Sequence, residues 1–256
     1  MAALEIVLVP ALSDNYVYLL HDTDTGTTAV VDPGEVAPVE AALAERGWKL
    51  THILNTHHHA DHIDGNEALK KRYGVPLIGP KAEEARIPDM DVMLSEGDTY
   101  DLNGHTAHVY ETPGHTTGHI CLYFADDKAL FAGDTLFALG CGRMFEGTPV
   151  QFWTSLSKLK GLPADTRIYC GHEYTMGNLK FALSIDGNNA KLQARGRVIE
   201  GLRAENLPTV PSLLGEELET NPFLRCDDPS IAAAVGKPGA DPIEVFAAVR
   251  SGKDNF

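Results

Sequence analysis

The most informative stretch of the chain is His57-His58-His59-Ala60-Asp61-His62, because it places a His-x-His-x-Asp-His spacing within six positions. An apolar, β-branched run precedes it at residues 51–56, and a charged segment follows at residues 67–72. These flanks place the cluster on a strand-to-helix loop at the end of a sheet, where α/β proteins hold their sites. In an extended loop His57 and His59 point the same way, whereas Asp61 falls where the chain turns. Histidine is the commonest metal ligand, so the spacing indicates two adjacent metal ions rather than one.

Composition narrows the classes of function. The chain has 256 residues, of which 43% are apolar, and no run approaches the ~18 residues of a membrane span. Twenty-one basic residues stand against 36 acidic ones, for a net charge of −15. A net charge this negative disfavours binding to nucleic acid and to anionic membranes. We therefore expect no nucleic-acid or membrane partners, and a local basic cluster wherever an anionic substrate binds. We also expect a monomer.

Cysteine usage points to a reducing compartment. None of the four cysteines forms a Cys-x-x-Cys pair, and we interpret them as buried thiols: Cys121, Cys141, Cys170 and Cys226. The N-terminal residues 1–6 lack a basic region and a cleavable apolar stretch, so we expect no secretory signal. Together these features predict a cytoplasmic protein.

Short β-rich runs alternate with Gly, Pro and Asp turns through the first 170 residues. Strands are predicted at residues 5–9, 16–20, 27–31, 52–55, 106–111, 120–124, 129–132 and 167–169. A helix is predicted over Val36–Arg46, and Thr148 with Gln151 forms a capping-box pattern before another. The pattern predicts an α+β class: two packed sheets flanked by helices.

The sequence pattern changes after Tyr174, and helical periodicity dominates from there on. Helices are predicted at residues 178–186 and 190–205, and a last one is capped by Asp241 and ends near Arg250, with Gly252 after it. We expect a catalytic domain over residues 1–175 and a smaller helical domain, which binds substrate, over residues 176–256.

Three more metal-capable side chains follow predicted strand ends. His115, Asp134 and His172 each lie in a loop directly after an apolar strand, and each has a glycine beside it. With the first cluster they make five histidines and two aspartates. That inventory fills two three-ligand sites and leaves one carboxylate to bridge them.

This arrangement resembles the metallo-β-lactamase fold superfamily. The match covers Val31-Asp32-Pro33-Gly34, the His57–His62 block and the loops of His115, Asp134 and His172. The resemblance implies an αββα sandwich with two divalent metal ions per chain, zinc first, with iron or manganese as alternatives. It assigns His57, His59 and His115 to one ion. Asp61, His62 and His172 go to the other, and Asp134 bridges.

Three further segments resemble glyoxalase II, the hydroxyacylglutathione hydrolases, over essentially the whole chain. They are residues 141–148, residues 171–182, and the C-terminal pieces at 221–223 and 250–254. The resemblance implies hydrolysis of S-D-lactoylglutathione and related thioesters to D-lactate and glutathione by a metal-bound hydroxide, the second step of methylglyoxal detoxification. It makes Asp61 the catalytic residue that orients this hydroxide.

The same resemblance implies a glutathione-binding set, namely Arg143, Phe145, Tyr174, Arg250 and Lys253. Some family members have tyrosine at the position of Phe145, and phenylalanine keeps only the packing. Glutathione conjugates are net anionic, so cations near the pocket suit this acidic chain.

Two other readings stay open at this point. One is a mononuclear iron dioxygenase that acts on glutathione persulfide, a relative with the same superfamily motifs and without the helical C-terminal domain. The other is a non-catalytic scaffold that retains only the fold. Thiol release from a thioester, oxygen consumption with persulfide and metal analysis separate the three.

Overall fold

The computed structural model describes residues 4–256. Residues 1–3, part of the stretch used to predict the lack of a secretory signal, lie outside them. The chain divides into two compact units. The first unit runs to Glu111 and includes Gly118–Gly133, and the second comprises Thr112–Thr117 and Asp134–Phe256. Within residues 4–256, every helix is too short or too polar to cross a lipid bilayer.

The first unit carries two sheets. Its strands are β1 (Glu5–Ala11), β2 (Asn15–His21), β3 (Thr28–Val31), β4 (His52–Leu54), β5 (Leu77–Pro80), β6 (Val92–Leu94), β7 (Thr99–Leu102), β8 (His105–Glu111), β9 (Ile120–Phe124) and β10 (Ala129–Gly133). Its helices are α1 (Val36–Arg46), α2 (Ala60–Ile63) and α3 (Asn66–Tyr73). Strands β1 to β6 follow one another in a mixed sheet, antiparallel from β1 to β3 and parallel from β3 to β6. Strands β7 to β10 pair antiparallel in sequence order.

The alternation of side chains along β2 shows how the first unit is layered. Val17 and Leu19 join a buried cluster with α1 and α3, to which Leu43 and Leu69 belong. The intervening Tyr18 points to the opposite face, since side chains alternate along a strand. Its ring lies edge-on to Phe131 of β10, with ring centroids 5.6 Å apart. Every residue of β2 is therefore buried, with helices on one face and the second sheet on the other.

The second unit is mainly helical. Its helices are α4 (Pro149–Lys160), α5 (Thr175–Asp186), α6 (Ala190–Ala204), α7 (Leu214–Thr220), α8 (Pro229–Ala234) and α9 (Pro242–Asp254). Its strands are β11 (Leu136–Phe137), β12 (Gly140–Cys141), β13 (Arg167–Cys170) and β14 (Ser212–Leu213), which form the antiparallel pairs β11–β12 and β13–β14. Leu139, Leu179, Leu192 and Ile199 form one buried cluster there.

All eight predicted strands are present, with ends shifted by at most two residues. The predicted end of the last helix is wrong, because α9 continues through Gly252 to Asp254. An ion pair between Arg250 and Asp254, 2.9 Å long, joins successive turns and extends the helix past the glycine. Helix α5 also begins at Thr175, three residues before the predicted start.

Candidate metal centre

His57 lies three residues after the carboxyl end of β4, an inner strand of the mixed sheet, and is fully buried. Its Nε2 lies 3.2 Å from Nδ1 of His59, and its Nδ1 lies 3.0 Å from the hydroxyl of Thr56. The Thr56 hydroxyl donates to Asp32 over 2.6 Å, so it accepts from Nδ1–H of His57. This assigns the tautomer and puts the ligating lone pair of His57 on Nε2, the nitrogen that faces His59.

Asp32 organises this half of the centre. Its Oδ1 accepts the main-chain N–H of Thr56 at 2.8 Å, and its Oδ2 accepts Nδ1–H of His62 at 3.1 Å. Ligand atoms of Asp32, His57 and His62 lie within 4.8 Å of one another, as in a metal site. Both Asp32 oxygens already accept hydrogen bonds, however, so we infer that Asp32 orients His62 and Thr56 instead of ligating.

Asp61 lies in the first turn of α2 and is held by a residue far away in sequence. Asn15 donates through Nδ2 to Asp61 Oδ2 at 2.9 Å and to the Asp61 main-chain oxygen at 3.3 Å. The same Oδ2 lies 3.5 Å from His62 Nε2. A Cβ at Gly34 would overlap the Asp61 carbonyl, so this close approach requires glycine there.

The second unit holds the remaining three predicted ligands together. Asp134 Oδ2 lies 3.3 Å from Nε2 of His115 and 3.3 Å from Nε2 of His172. Nδ1 of His115 lies 2.8 Å from the main-chain oxygen of Arg143, which accepts its proton. All three side chains are buried, and the Asp134 carboxylate lies between two imidazoles, as a bridging ligand would.

The donor chemistry of both units fits divalent metal ions. Hydrogen bonds engage the Nδ1–H of His57, His62 and His115 and leave Nε2 of each ring as the ligating atom. Metal-binding histidines almost always donate such a hydrogen bond from the ring nitrogen that does not bind the metal. The structure therefore brings together four predicted ligands in the first unit and three in the second.

Three predicted substrate residues lie beside the histidines of the second unit. Tyr174 stacks on His172 with ring centroids 4.6 Å apart and planes 3° from parallel. Phe145 is 61% exposed, and its ring centroid lies 5.2 Å from that of His115. The exposed guanidinium of Arg143 lies 5.8 Å above the Phe145 ring.

The other two predicted substrate residues differ from each other, although both belong to α9. Lys253 is half-buried and donates from Nζ to the main-chain oxygen of Gly177 at 3.0 Å. Burial, helped by the nearby charge of Arg250, lowers the pKa of Lys253 below its ordinary value. Arg250 is only 4% exposed, and its guanidinium faces main-chain oxygens of Cys141 and Gly142.

The sequence pattern did not single out some residues that support the ligands. Asp32 lay within a quoted motif without a role, and Asn15 and Glu83 carried no signal. Glu83 is fully buried, pairs with Nδ1 of His58 and accepts the main-chain N–H of Gly118 at 3.1 Å.

Comparisons with known proteins give the family. A family model described as the metallo-beta-lactamase superfamily matches residues 12–172, and one described as the hydroxyacylglutathione hydrolase C-terminus matches residues 173–256. A hydroxyacylglutathione hydrolase of Methylococcus capsulatus is 52% identical over 253 residues, which cover 99% of each chain. One from Rhodopseudomonas palustris is 55% identical and covers 98% of each chain.

Among solved structures, ETHE1 from Myxococcus xanthus superposes with a TM-score of 0.69 at 25% identity. The match covers 98% of this chain and 90% of that one. The predicted α+β class is thereby confirmed: two β-sheets with flanking helices, followed by a helical C-terminal region. Because the identity to full-length relatives exceeds half, the chain belongs to the hydroxyacylglutathione hydrolase family of the metallo-β-lactamase superfamily.

Proposed function

We propose that this chain hydrolyses S-D-lactoylglutathione and related 2-hydroxyacylglutathione thioesters to the hydroxy acid and glutathione. This is the second step of methylglyoxal detoxification. One observation carries the proposal: relatives named hydroxyacylglutathione hydrolase are 52–55% identical over nearly the full length of both chains. The donor chemistry of the histidines and aspartates supports it, because metal-assisted hydrolysis needs such a set.

Two divalent ions, zinc first, are the proposed cofactors. His57, His59 and His115 would hold one, and Asp61, His62 and His172 the other. Asp134 would bridge them. When bound, such a pair supplies Lewis acidity, which polarises a thioester carbonyl and makes water more acidic.

Asp61 is the proposed catalytic residue. Its carboxylate is fixed by the 2.9 Å hydrogen bond from Asn15, so it presents an oriented acceptor to an attacking water. The leaving group is a thiolate whose conjugate acid has a pKa near 8.5, so it departs at neutral pH with little acid help. We assign no general acid for this reason.

The peptide part of the substrate is proposed to lie against Arg143, Phe145, Tyr174 and Lys253. Glutathione is net anionic and the chain carries a charge of −15, so exposed cations such as Arg143 supply the local attraction. Residues 1–175 are the proposed catalytic domain, and residues 176–256 the substrate-binding domain. Arg250 is a further predicted member of the glutathione-binding set.

A cytoplasmic location is proposed with this function. All four cysteines lie among the described residues, buried and without disulfides, as in a reducing compartment. A monomeric state stays a prediction.

The test is a pair of assays on one preparation. Thiol release from S-D-lactoylglutathione is expected, with no oxygen consumption when glutathione persulfide is supplied. Oxygen uptake with persulfide and no thioester hydrolysis would instead identify the iron dioxygenase. Inactivity of metal-loaded protein in both assays would favour the non-catalytic scaffold.

A further inference from the structure

The segment between Asp134 and Arg143 is held by its main chain from four places in the C-terminal helices. It contains the hairpin of β11 and β12, so we call residues 136–142 the hairpin loop. The side chains that hold it are almost completely buried and belong to α5, α7, the residue that follows α7, and α9: Asn178, Glu217, Asn221 and Arg250. Each makes a hydrogen bond to a main-chain atom of the hairpin loop.

The first three contacts fix the tip of the hairpin loop. Asn178 donates to the oxygen of Ala138 at 3.1 Å, and Glu217 accepts the N–H of Leu139 at 2.9 Å. Leu139 has a φ of 56°, so a left-handed turn stands here without a glycine. Asn221 donates to the oxygen of Gly140 at 3.0 Å. This contact gives a structural role to Asn221 of the Asn221-Pro222-Phe223 motif, to which the proposed chemistry assigned none.

Arg250 fixes the end of the hairpin loop that leads to Arg143. Its Nη1 donates to the oxygen of Cys141 at 3.0 Å and to that of Gly142 at 3.2 Å. Its Nη2 donates to Asp254 at 2.9 Å, and its guanidinium lies 5.0 Å above the Phe223 ring. The side chain is thereby used on the protein itself, with 4% of its surface exposed.

The next residue along the chain reaches a proposed metal ligand. The oxygen of Arg143 accepts Nδ1–H of His115 at 2.8 Å. A Cβ at Gly142 would lie 3.2 Å from that Nδ1 and would overlap the oxygen of Asp134. The hairpin loop therefore packs directly against the residues that carry two proposed ligands, and a shift of Cys141 or Gly142 would move the acceptor that orients His115.

We propose that Arg250 is a positioning residue for the metal centre: it holds the Cys141-Gly142 main chain, and so keeps the Arg143 carbonyl on His115. The inference rests on the proposed function for the role of His115. It adds an action through the protein to the glutathione contact predicted for Arg250, whereas Lys253, one turn away, is proposed to act by direct contact with the substrate alone.

The experiment measures zinc affinity by competition with a chromophoric chelator, beside thermal unfolding. Arg250→Lys keeps the charge and loses the planar fork that reaches two carbonyls. We expect a cooperatively folded protein whose zinc affinity falls about 10-fold, as for other residues that orient metal ligands. Hydrolysis of a small thioester without glutathione should also slow, since that substrate uses the metal centre alone.

Two controls lie on the same helix. Ser251→Ala changes an exposed neighbour and should leave zinc affinity within about twofold of wild type. Lys253→Met should also retain zinc affinity, and should raise KM for the glutathione thioester. If Arg250→Lys does not fold, Asn178→Ala removes one contact to the hairpin loop and should lower zinc affinity in the same direction.

Arg250→Lys with wild-type zinc affinity and an unchanged rate on the small thioester would overturn the proposal, all the more if only the KM for the glutathione thioester rose. If Arg250→Lys does not fold, a folded Asn178→Ala variant with unchanged zinc affinity would also overturn the proposal. Failure of the proposed function would look different, because the wild type would then bind zinc and leave S-D-lactoylglutathione intact.

Discussion

A metal-binding histidine usually donates a hydrogen bond from the ring nitrogen that does not bind the metal. In the proposed ligands His62, His57 and His115, the acceptors are a carboxylate, a hydroxyl and a main-chain carbonyl, respectively. Asp32 stands at the centre of one such network, since it accepts from the N–H and hydroxyl of Thr56 and from His62. Its φ of 51° is unusual for a side-chain-bearing residue, and the three hydrogen bonds hold it there.

Asp32→Asn tests this network. The amide keeps the shape and replaces one acceptor oxygen by a donor, which then faces a donor of Thr56 or His62. We expect zinc affinity to fall about 10- to 100-fold and stability to drop by about 1–3 kcal/mol. Chelator competition and urea unfolding measure the two effects.

The exposed Asp126 offers a matched control, because Asp126→Asn makes the same chemical change on a surface turn. It should leave both quantities at wild-type values. Equal zinc affinity in Asp32→Asn and wild type would remove Asp32 from the support of the metal centre.

Asp134→Asn tests the bridging role. The variant would leave two cations with less neutralising charge between His115 and His172, so metal content and thioester hydrolysis should fall together. We expect no more than about one ion per chain by elemental analysis. A variant that keeps both ions and near-normal turnover would contradict the assignment.

The sequence was enough to single out the seven proposed ligands, because each follows a strand end or lies in the histidine cluster. Their supports could not be predicted in the same way. Asp32 is 24 residues from Thr56 and 30 from His62, and Asn15 is 46 from Asp61. Such pairs meet only through the packing of the sheet, which leaves no mark in local spacing.

Among the elements, the capped start of α4 could be predicted from residue types alone. The capping box at the start of α4 is present, with Thr148 accepting the N–H of Gln151 at 3.3 Å and the Gln151 side chain accepting the N–H of Thr148 at 3.0 Å. These contacts are local, so the residue types alone indicate them.

Thr148→Ala removes the hydroxyl that accepts the Gln151 N–H in that capping box. We expect a loss of about 1 kcal/mol in the free energy of unfolding, as for other N-cap replacements. Denaturant unfolding checks it, with Thr154→Ala, in the exposed middle of α4, as the control. A loss at Thr148 no larger than at Thr154 would mean that the box contributes nothing to stability.

Strands β5 and β6 escaped prediction for the opposite reason. Leu77–Pro80 contains a glycine and a proline, and Val92–Leu94 has three residues. Their extended form depends on parallel neighbours that supply hydrogen bonds, as Ile53 and Leu54 of β4 do for β5. A local pattern of period two had too few residues to show itself.

At the scale of the whole molecule, the contacts of residues 112–117 illustrate a limit of sequence reasoning. This segment joins the second compact unit although it lies within the first unit's stretch of chain. Long-range hydrogen bonds explain this: Ser155 donates to the oxygen of Pro113 at 2.8 Å, and Thr117 donates to Glu146 at 2.8 Å. Such contacts join residues far apart in the chain, so a local sequence pattern gives no sign of them.

Buried thiols make the stability of the whole molecule depend on alkaline pH. Burial raises the pKa of Cys141 to about 11 and raises that of Cys226 as well. Because the ordinary thiol pKa is about 8.5, the folded state binds more protons than the unfolded state between about pH 8.5 and 11. Stability should therefore fall as pH rises through this window.

Urea unfolding at several pH values from 8 to 11 measures the fall. Lysines and tyrosines also titrate there, so the informative comparison is wild type against Cys141→Ala, whose decline should be shallower. Parallel declines in the two proteins would show that Cys141 contributes nothing to it.

We propose that two metal ions, held by the histidine and aspartate set, perform thioester hydrolysis. The most direct test of this proposal is a zinc titration of metal-free protein, in which hydrolysis of S-D-lactoylglutathione is followed as metal is added. We expect no activity without metal, and a rise in activity that levels off at about two zinc ions per chain. Full activity at one ion, or no thioester hydrolysis with both sites filled, would contradict it.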